Sequence, residues 1–246
     1  MQSRTQQSHL LTTLLLALVP VTAQGDAIDS ARQEAVAAPF DIVNASVEID
    51  GRSLVFDMAV AEAAGSSKPT PTGKLAGSNV FSYVWPTSID PWEVGFERDT
   101  GILALAVTAH ADFDDTPLYD ENGDTDPGND GDVWHSHWVV LAPDERCGEG
   151  ALGVVDIPEG ASPRLPATWP GLPILLDSPG WDPLISTNRV TVHVAFADID
   201  SLGEASFDGV TAGLRVNESV HAPLLCVVDV FDVASGDLSL PGRIDR

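Results

Sequence analysis

Apolar and polar positions alternate along "DIVNASVEI" and "SLVFDMAV", and the "DGR" between them is a hairpin signal, so residues 41–60 predict two antiparallel strands. Further apolar runs of strand length follow: "NVFSYVW", "GILALAVTAH", "VWHSHWVVL", "ALGVVDI", "NRVTVHVAFADI", "GVTAGLRVN" and "APLLCVVDVF". Gly or Pro punctuates almost every gap. Helical periodicity is confined to an alanine-rich lead-in and a turn near "TSIDPWEVGF". About nine strands separated by turns predict an all-β fold, a single antiparallel β-sandwich of jelly-roll or Ig-like type over residues 40–246. Two long loops interrupt the pattern. One is the acidic stretch from Asp112 to Asp132. The other, "PEGASPRLPATWPGLPILLDSPGWDP", carries too many prolines for a central strand and is expected to wrap one end of the sandwich.

The amino-terminal pattern differs. Residues 1–23 run from a short polar start with Arg4, through the apolar "LLTTLLLALVPV", to the small residues "VTA", which is the order of a secretory signal peptide cleaved after Ala23. The apolar run is too short to span a bilayer, and no later segment is long and apolar enough, so no stable membrane insertion is expected after cleavage. Residues 24–39 read as a flexible lead-in. The mature chain is expected in a periplasm or secreted. There Cys147 and Cys226 are expected to form a disulfide.

Charge narrows the partners. The formal net charge is −25, and −26 once Arg4 leaves with the signal. Such a chain is excluded from binding nucleic acid or anionic lipid, which need the opposite sign, and metal cations become the natural partners.

Six acidic residues lie within the thirteen positions Asp120 to Asp132. Asp120, Asn122, Asp124 and Asp126 alternate as the oxygen donors of a calcium loop do, with Asp130 and Asp132 behind them. Over residues 120–132 the chain resembles the Asp-rich loops of EF-hand-like calcium sites, which implies calcium bound by these oxygens. It departs from the EF-hand at Thr125, where that loop has glycine, and at Gly131, where it has glutamate. The flanks also read as strands. Asp112, Asp114 and Asp115 lie just upstream and could serve the same ion or a second one.

Histidines follow at once. In "VWHSHWVVL", strand alternation puts Val133, His135, His137, Val139 and Leu141 on one face, and Trp134, Ser136, Trp138 and Val140 on the other. Two same-face imidazoles ~6.6–6.8 Å apart along a strand can converge on one ion. His110, at the end of the strand before the acidic loop, is the first candidate for a third ligand; His193 and His221 are others. Zinc or copper(II) fits imidazole and carboxylate donors. A blue-copper site lacks its Cys-His-Met order, and no CxxCH attaches haem. His-x-His on a strand is also similar to a cupin, but the chain departs from that pattern at Asn129, Leu141 and Ala142.

The reading is therefore an exported acidic metal-binding β protein, with calcium in the 112–132 loop and zinc or copper at His110, His135 and His137. One alternative is a metal-dependent hydrolase or lyase with Asp112, Asp114 or Asp115 as general base. Another is a carbohydrate- or surface-binding module in which Trp134, Trp138, Trp169 or Trp181 stack on ligand.

Overall fold

The computed structural model describes residues 26–244, so the expected signal peptide lies outside the described residues. The described strands are β1 (Ile28–Asp29), β2 (Ile42–Asp50), β3 (Ser53–Val60), β4 (Asn79–Pro86), β5 (Ile102–Ala109), β6 (His135–Pro143), β7 (Leu152–Val154), β8 (Leu176–Asp177), β9 (Leu184–Ser186), β10 (Arg189–Ala195), β11 (Ser206–Phe207), β12 (Val210–Val216), β13 (Leu225–Val233) and β14 (Gly242–Arg243). Among the described residues helix is limited to single 3-10 turns at Pro91–Val94 and Asp200–Leu202. The lead-in is tied down where it is described. Ile28 packs into the core, β1 pairs with β2, and the Gln33 side-chain amide donates to Asp232.

The fold is all-β and antiparallel. β1, β2, β3, β10 and β9 form an open five-stranded sheet in that order. The second sheet runs β5-β4-β12-β13-β7-β6, and β5 also pairs with β6 from Ile102↔Leu141 to Thr108↔His135. That pairing closes six strands into a barrel, with β8 added beside β6. A jelly-roll or Ig-like sandwich would leave both sheets open. Closure is decided by register between strands separated by a long loop, which local alternation does not encode.

Because the five-stranded sheet packs on the outside of the barrel, several barrel strands are buried on both faces. In β5, Leu103, Leu105 and Val107 face the outer sheet, and Ala104, Ala106 and Thr108 face the lumen. In β6, Trp138 and Val140 point out, and His137, Val139 and Leu141 point in. The outer interface is aromatic: Phe56 from β3 sets its ring edge-on to Trp85 at 5.9 Å and to Trp138 at 5.8 Å. Such pairs contribute ~0.5–1.5 kcal/mol each beyond the area they bury.

The lumen is filled less fully. Ala104, Ala106 and Ala212 contribute only methyl groups there, and a cavity of about 80 Å³ remains along the interior. The Cys147–Cys226 disulfide ties the loop after β6 to β13 across a sequence separation of 79. Closing a loop that long in the unfolded chain stabilises the fold by ~4–5 kcal/mol on chain-entropy grounds. No helix among the described residues is long and apolar enough to cross a membrane.

Candidate metal centre

β5 and β6 run side by side into one end of the barrel, and the residues at that end are histidines. Thr108 of β5 pairs with His135 of β6, and His110 follows directly after β5. Alternation puts His135 and His137 on the lumen side of β6. The chain after His110 then turns back so that Asp115 enters the same space. The four side chains are buried, and their ligand atoms all lie within 4.8 Å of one another. Asp115 Oδ1 stands 3.1 Å from His110 Nε2, 3.2 Å from His135 Nε2 and 3.3 Å from His137 Nε2. The His110 and His135 Nε2 atoms are 3.1 Å apart.

The opposite ring nitrogens determine what these contacts are. His110 Nδ1 faces the Phe113 carbonyl at 2.9 Å, His135 Nδ1 the Val133 carbonyl at 2.7 Å, and His137 Nδ1 the Asp177 carbonyl at 3.2 Å. A carbonyl only accepts, so each Nδ1 carries the proton and each neutral ring turns a bare Nε2 lone pair inward. Three such lone pairs and a carboxylate oxygen converge on one point. Uncompensated, that is a costly arrangement in a buried site.

One proton relieves it only in part. Burial opposes a charge on His135, but the hydrogen bond to Asp115 and its negative charge outweigh burial, and the His135 pKa is raised. At His137 burial wins and the pKa is lowered. Burial alone would raise the Asp115 carboxyl, yet any second proton taken up by the rings acts against that, by charge from His137 and His110 and by hydrogen bonds from His110 and His135, and holds it well below the usual carboxylate range. A single proton on His135 still leaves His137 Nε2 without a hydrogen-bond partner. A divalent ion would satisfy all four atoms at once. Four ligands at ~2.0–2.1 Å from a tetrahedral ion are ~3.3–3.4 Å apart, close to the Asp115 contacts. The backbone carbonyls on each Nδ1–H are the outer-shell partners that metal-bound histidines ordinarily have.

Around this centre, the His110 ring stacks on Phe113 with centroids 3.8 Å apart. Thr108 Oγ1 lies 3.1 Å from His135 Nε2. Ser178 donates its hydroxyl to the Asp115 carbonyl at 2.6 Å, fixing the backbone that carries the carboxylate. The end of the acidic loop closes over the site, where Gly131 accepts from the His110 N–H at 2.6 Å. A Cβ at Gly131 would stand 1.8 Å from the Phe113 carbonyl oxygen and 2.7 Å from His110 Nδ1. Only glycine fits at this position.

Of the residues singled out in the sequence, the structure brings His110, His135 and His137 together, and Asp115 joins them from the upstream acids. The other acids lie elsewhere. Asp112 is half-buried and accepts from the backbone N–H groups of Thr72 and Gly73. Asp114 accepts from Thr116 and from the Asp130 N–H, and buried Asp130 accepts from the Glu121 N–H. Asp120 accepts from Asp124 and Thr125, Asn122 from Asp124, Asp124 from Asp126 and Asn129, and Asp126 from Gly128. Asp132 sits at the surface, 3.9 Å from Lys68. Among the described residues no other group of three or more histidine or acidic side chains converges on a point.

His193 is exposed on β10, and His221 pairs with Asp156 at 2.8 Å. Trp134 and Trp138 are buried, and Trp169 and Trp181 are half-buried against the core, so they form no exposed stacking row. Asp115 is the candidate ligand that sequence reasoning named only alongside Asp112 and Asp114, as an acid for the loop ion or a general base, and did not group with the histidines. It stands in an irregular loop beside Asp114, and no periodicity distinguishes the two.

Compared with models of known protein families, with curated proteins and with solved structures, the chain matches none.

Proposed function

We propose that this is an exported metal-binding β-barrel protein that holds one transition-metal ion with His110, His135, His137 and Asp115. The observation that carries this reading is the convergence of three imidazole lone pairs and one carboxylate oxygen, each imidazole oriented by a backbone carbonyl on its far nitrogen. Zinc is the ion this donor set and spacing favour, with copper(II) second. Export is compatible with the disulfide. Calcium in the acidic loop has no comparable support, because Asp120, Asp124 and Asp126 already accept hydrogen bonds from the loop itself.

A metal-dependent hydrolase or lyase is the second reading, favoured by the position of the centre. His110, Asp115 and His137 line the barrel cavity, so a further coordination position would face the lumen rather than solvent.

Elemental analysis of the mature protein, purified without chelator or affinity metal, tests the reading. Near-stoichiometric zinc or copper is expected, and it should vanish from the His135→Ala, His137→Ala double variant while near-UV circular dichroism shows the fold retained. Unchanged metal content in that variant would remove the site.

A further inference from the structure

The centre and the barrel interior share one cavity. Its lining is almost wholly apolar, with Val84, Ala106, Val139, Val210 and Ala212 along the walls and His110, Asp115 and His137 at one end. Two other lining residues, Val230 and Leu238, belong to the exposed large hydrophobics, so the same cavity reaches the surface between apolar side chains. A solvated passage for ions would be lined by polar groups. This one is shaped for hydrocarbon.

We propose that the lumen takes a short unbranched aliphatic carboxylate, with its head as a fifth ligand on the metal ion, an expansion of coordination that zinc allows, and its chain along the barrel toward Val230 and Leu238. The proposal rests on the metal-centre reading above. Three features select this class of ligand.

The first is charge. A divalent ion held by three neutral imidazoles and one carboxylate keeps one unit of positive charge in a buried, apolar setting, where an anionic oxygen donor neutralises it. The acidic surface opposes anions only at a distance, and salt screens that repulsion beyond ~8 Å.

The second is size. About 80 Å³ is several times the ~10–15 Å³ that one water needs, and the cavity opens between Val230 and Leu238, so an unbranched chain can lie along it and end at the surface.

The third is a hydrogen-bond donor at the right place. Thr108 lines the cavity, and its hydroxyl is within 3.1 Å of His135 Nε2. Once the ion takes that lone pair, the hydroxyl is free to donate to the second carboxylate oxygen.

Metal content is measured first, then the zinc-loaded mature chain is titrated by calorimetry with acetate, butanoate, hexanoate and octanoate at fixed ionic strength. Hexanoate is expected to bind at least tenfold tighter than acetate, with a negative heat-capacity change from burial of the chain. Stripping the zinc should cost at least tenfold in hexanoate affinity. Ala212→Leu, which fills the lumen away from the ligands, should abolish hexanoate binding with zinc content unchanged. Thr108→Val should weaken every member of the series by a similar factor and leave the chain-length dependence intact.

If the zinc-loaded protein binds acetate and hexanoate equally, or neither, the lumen proposal is overturned while the metal centre stands. If the protein retains no zinc, both readings fall together. Should Ala212→Leu fail to fold, the chain-length series on the wild-type protein decides alone.

Discussion

Two residues show how tightly the centre is specified. Gly131 touches His110 and the Phe113 carbonyl from the loop above, with no room for a methyl group. Gly131→Ala is expected to destabilise the protein by ~1–3 kcal/mol through overpacking. It should also cut zinc affinity at least tenfold by displacing His110, read by competition with a chromogenic chelator; unchanged affinity would show that the loop does not hold the ligand. Asp177 is the second. Its carbonyl accepts from His137, and burial pushes its own carboxyl up to about 6 despite the Thr168 hydroxyl it accepts. A folded-state pKa above the unfolded value means that the folded protein holds the proton longer. Stability therefore falls as pH rises from about 4 through 6, with a penalty of up to ~3 kcal/mol in place above that window. Asp177→Asn removes the ionisable group. In chelator it should raise the melting temperature at pH 7.5 and leave it nearly unchanged at pH 4, and an equal shift at both pH values would contradict the burial argument.

At the scale of elements, β5 and β6 carry most of what matters. Each is apolar on two faces, because one face meets the outer sheet and the other the lumen. Alternation in "VWHSHWVVL" placed His135 and His137 on a common face correctly, since that depends only on the two-residue repeat of a strand. It could not say that this face is the inside of a barrel. The opposite face carries Trp138, fully buried against Phe56 and Phe196. Trp138→Ala should cost ~3–5 kcal/mol in chemical denaturation, as large-to-small changes at buried aromatics do. His135 and His137 sit on the other face, so the variant is expected to take up zinc as the unsubstituted protein does at low temperature. Loss of zinc in a folded Trp138→Ala protein would mean that the two faces of β6 are coupled. The acidic loop was legible as a loop and as a concentration of carboxylates. Its hydrogen bonds were not legible, because an aspartate that accepts from its own turn has the same local sequence as one that binds a cation.

For the molecule as a whole, the disulfide and the His/Asp cluster lie in different parts of the barrel. Cys147–Cys226 joins the loop after β6 to β13, away from the cluster where His110, His135 and Asp115 bind β5, β6 and the loop between them. Cys147→Ser with Cys226→Ser should lower stability by ~4–5 kcal/mol, minus any native strain relieved, with the zinc stoichiometry of the surviving folded fraction unchanged. A parallel loss of zinc would join the two into one unit. The sequence by itself determined the all-β class, the pairing of its only two cysteines and the shared face of His135 and His137, and it offered His110 as one of three candidates to join them. These follow from periodicity and composition, which act over a few residues or over the whole chain at once. Tertiary structure alone decided that six strands close into a barrel, that Asp115 rather than its neighbour Asp114 supplies the carboxylate, and that the ligands face an apolar lumen. Each of those depends on register and loop path between segments far apart in the chain, where small differences in packing free energy choose among arrangements that the local pattern leaves equal.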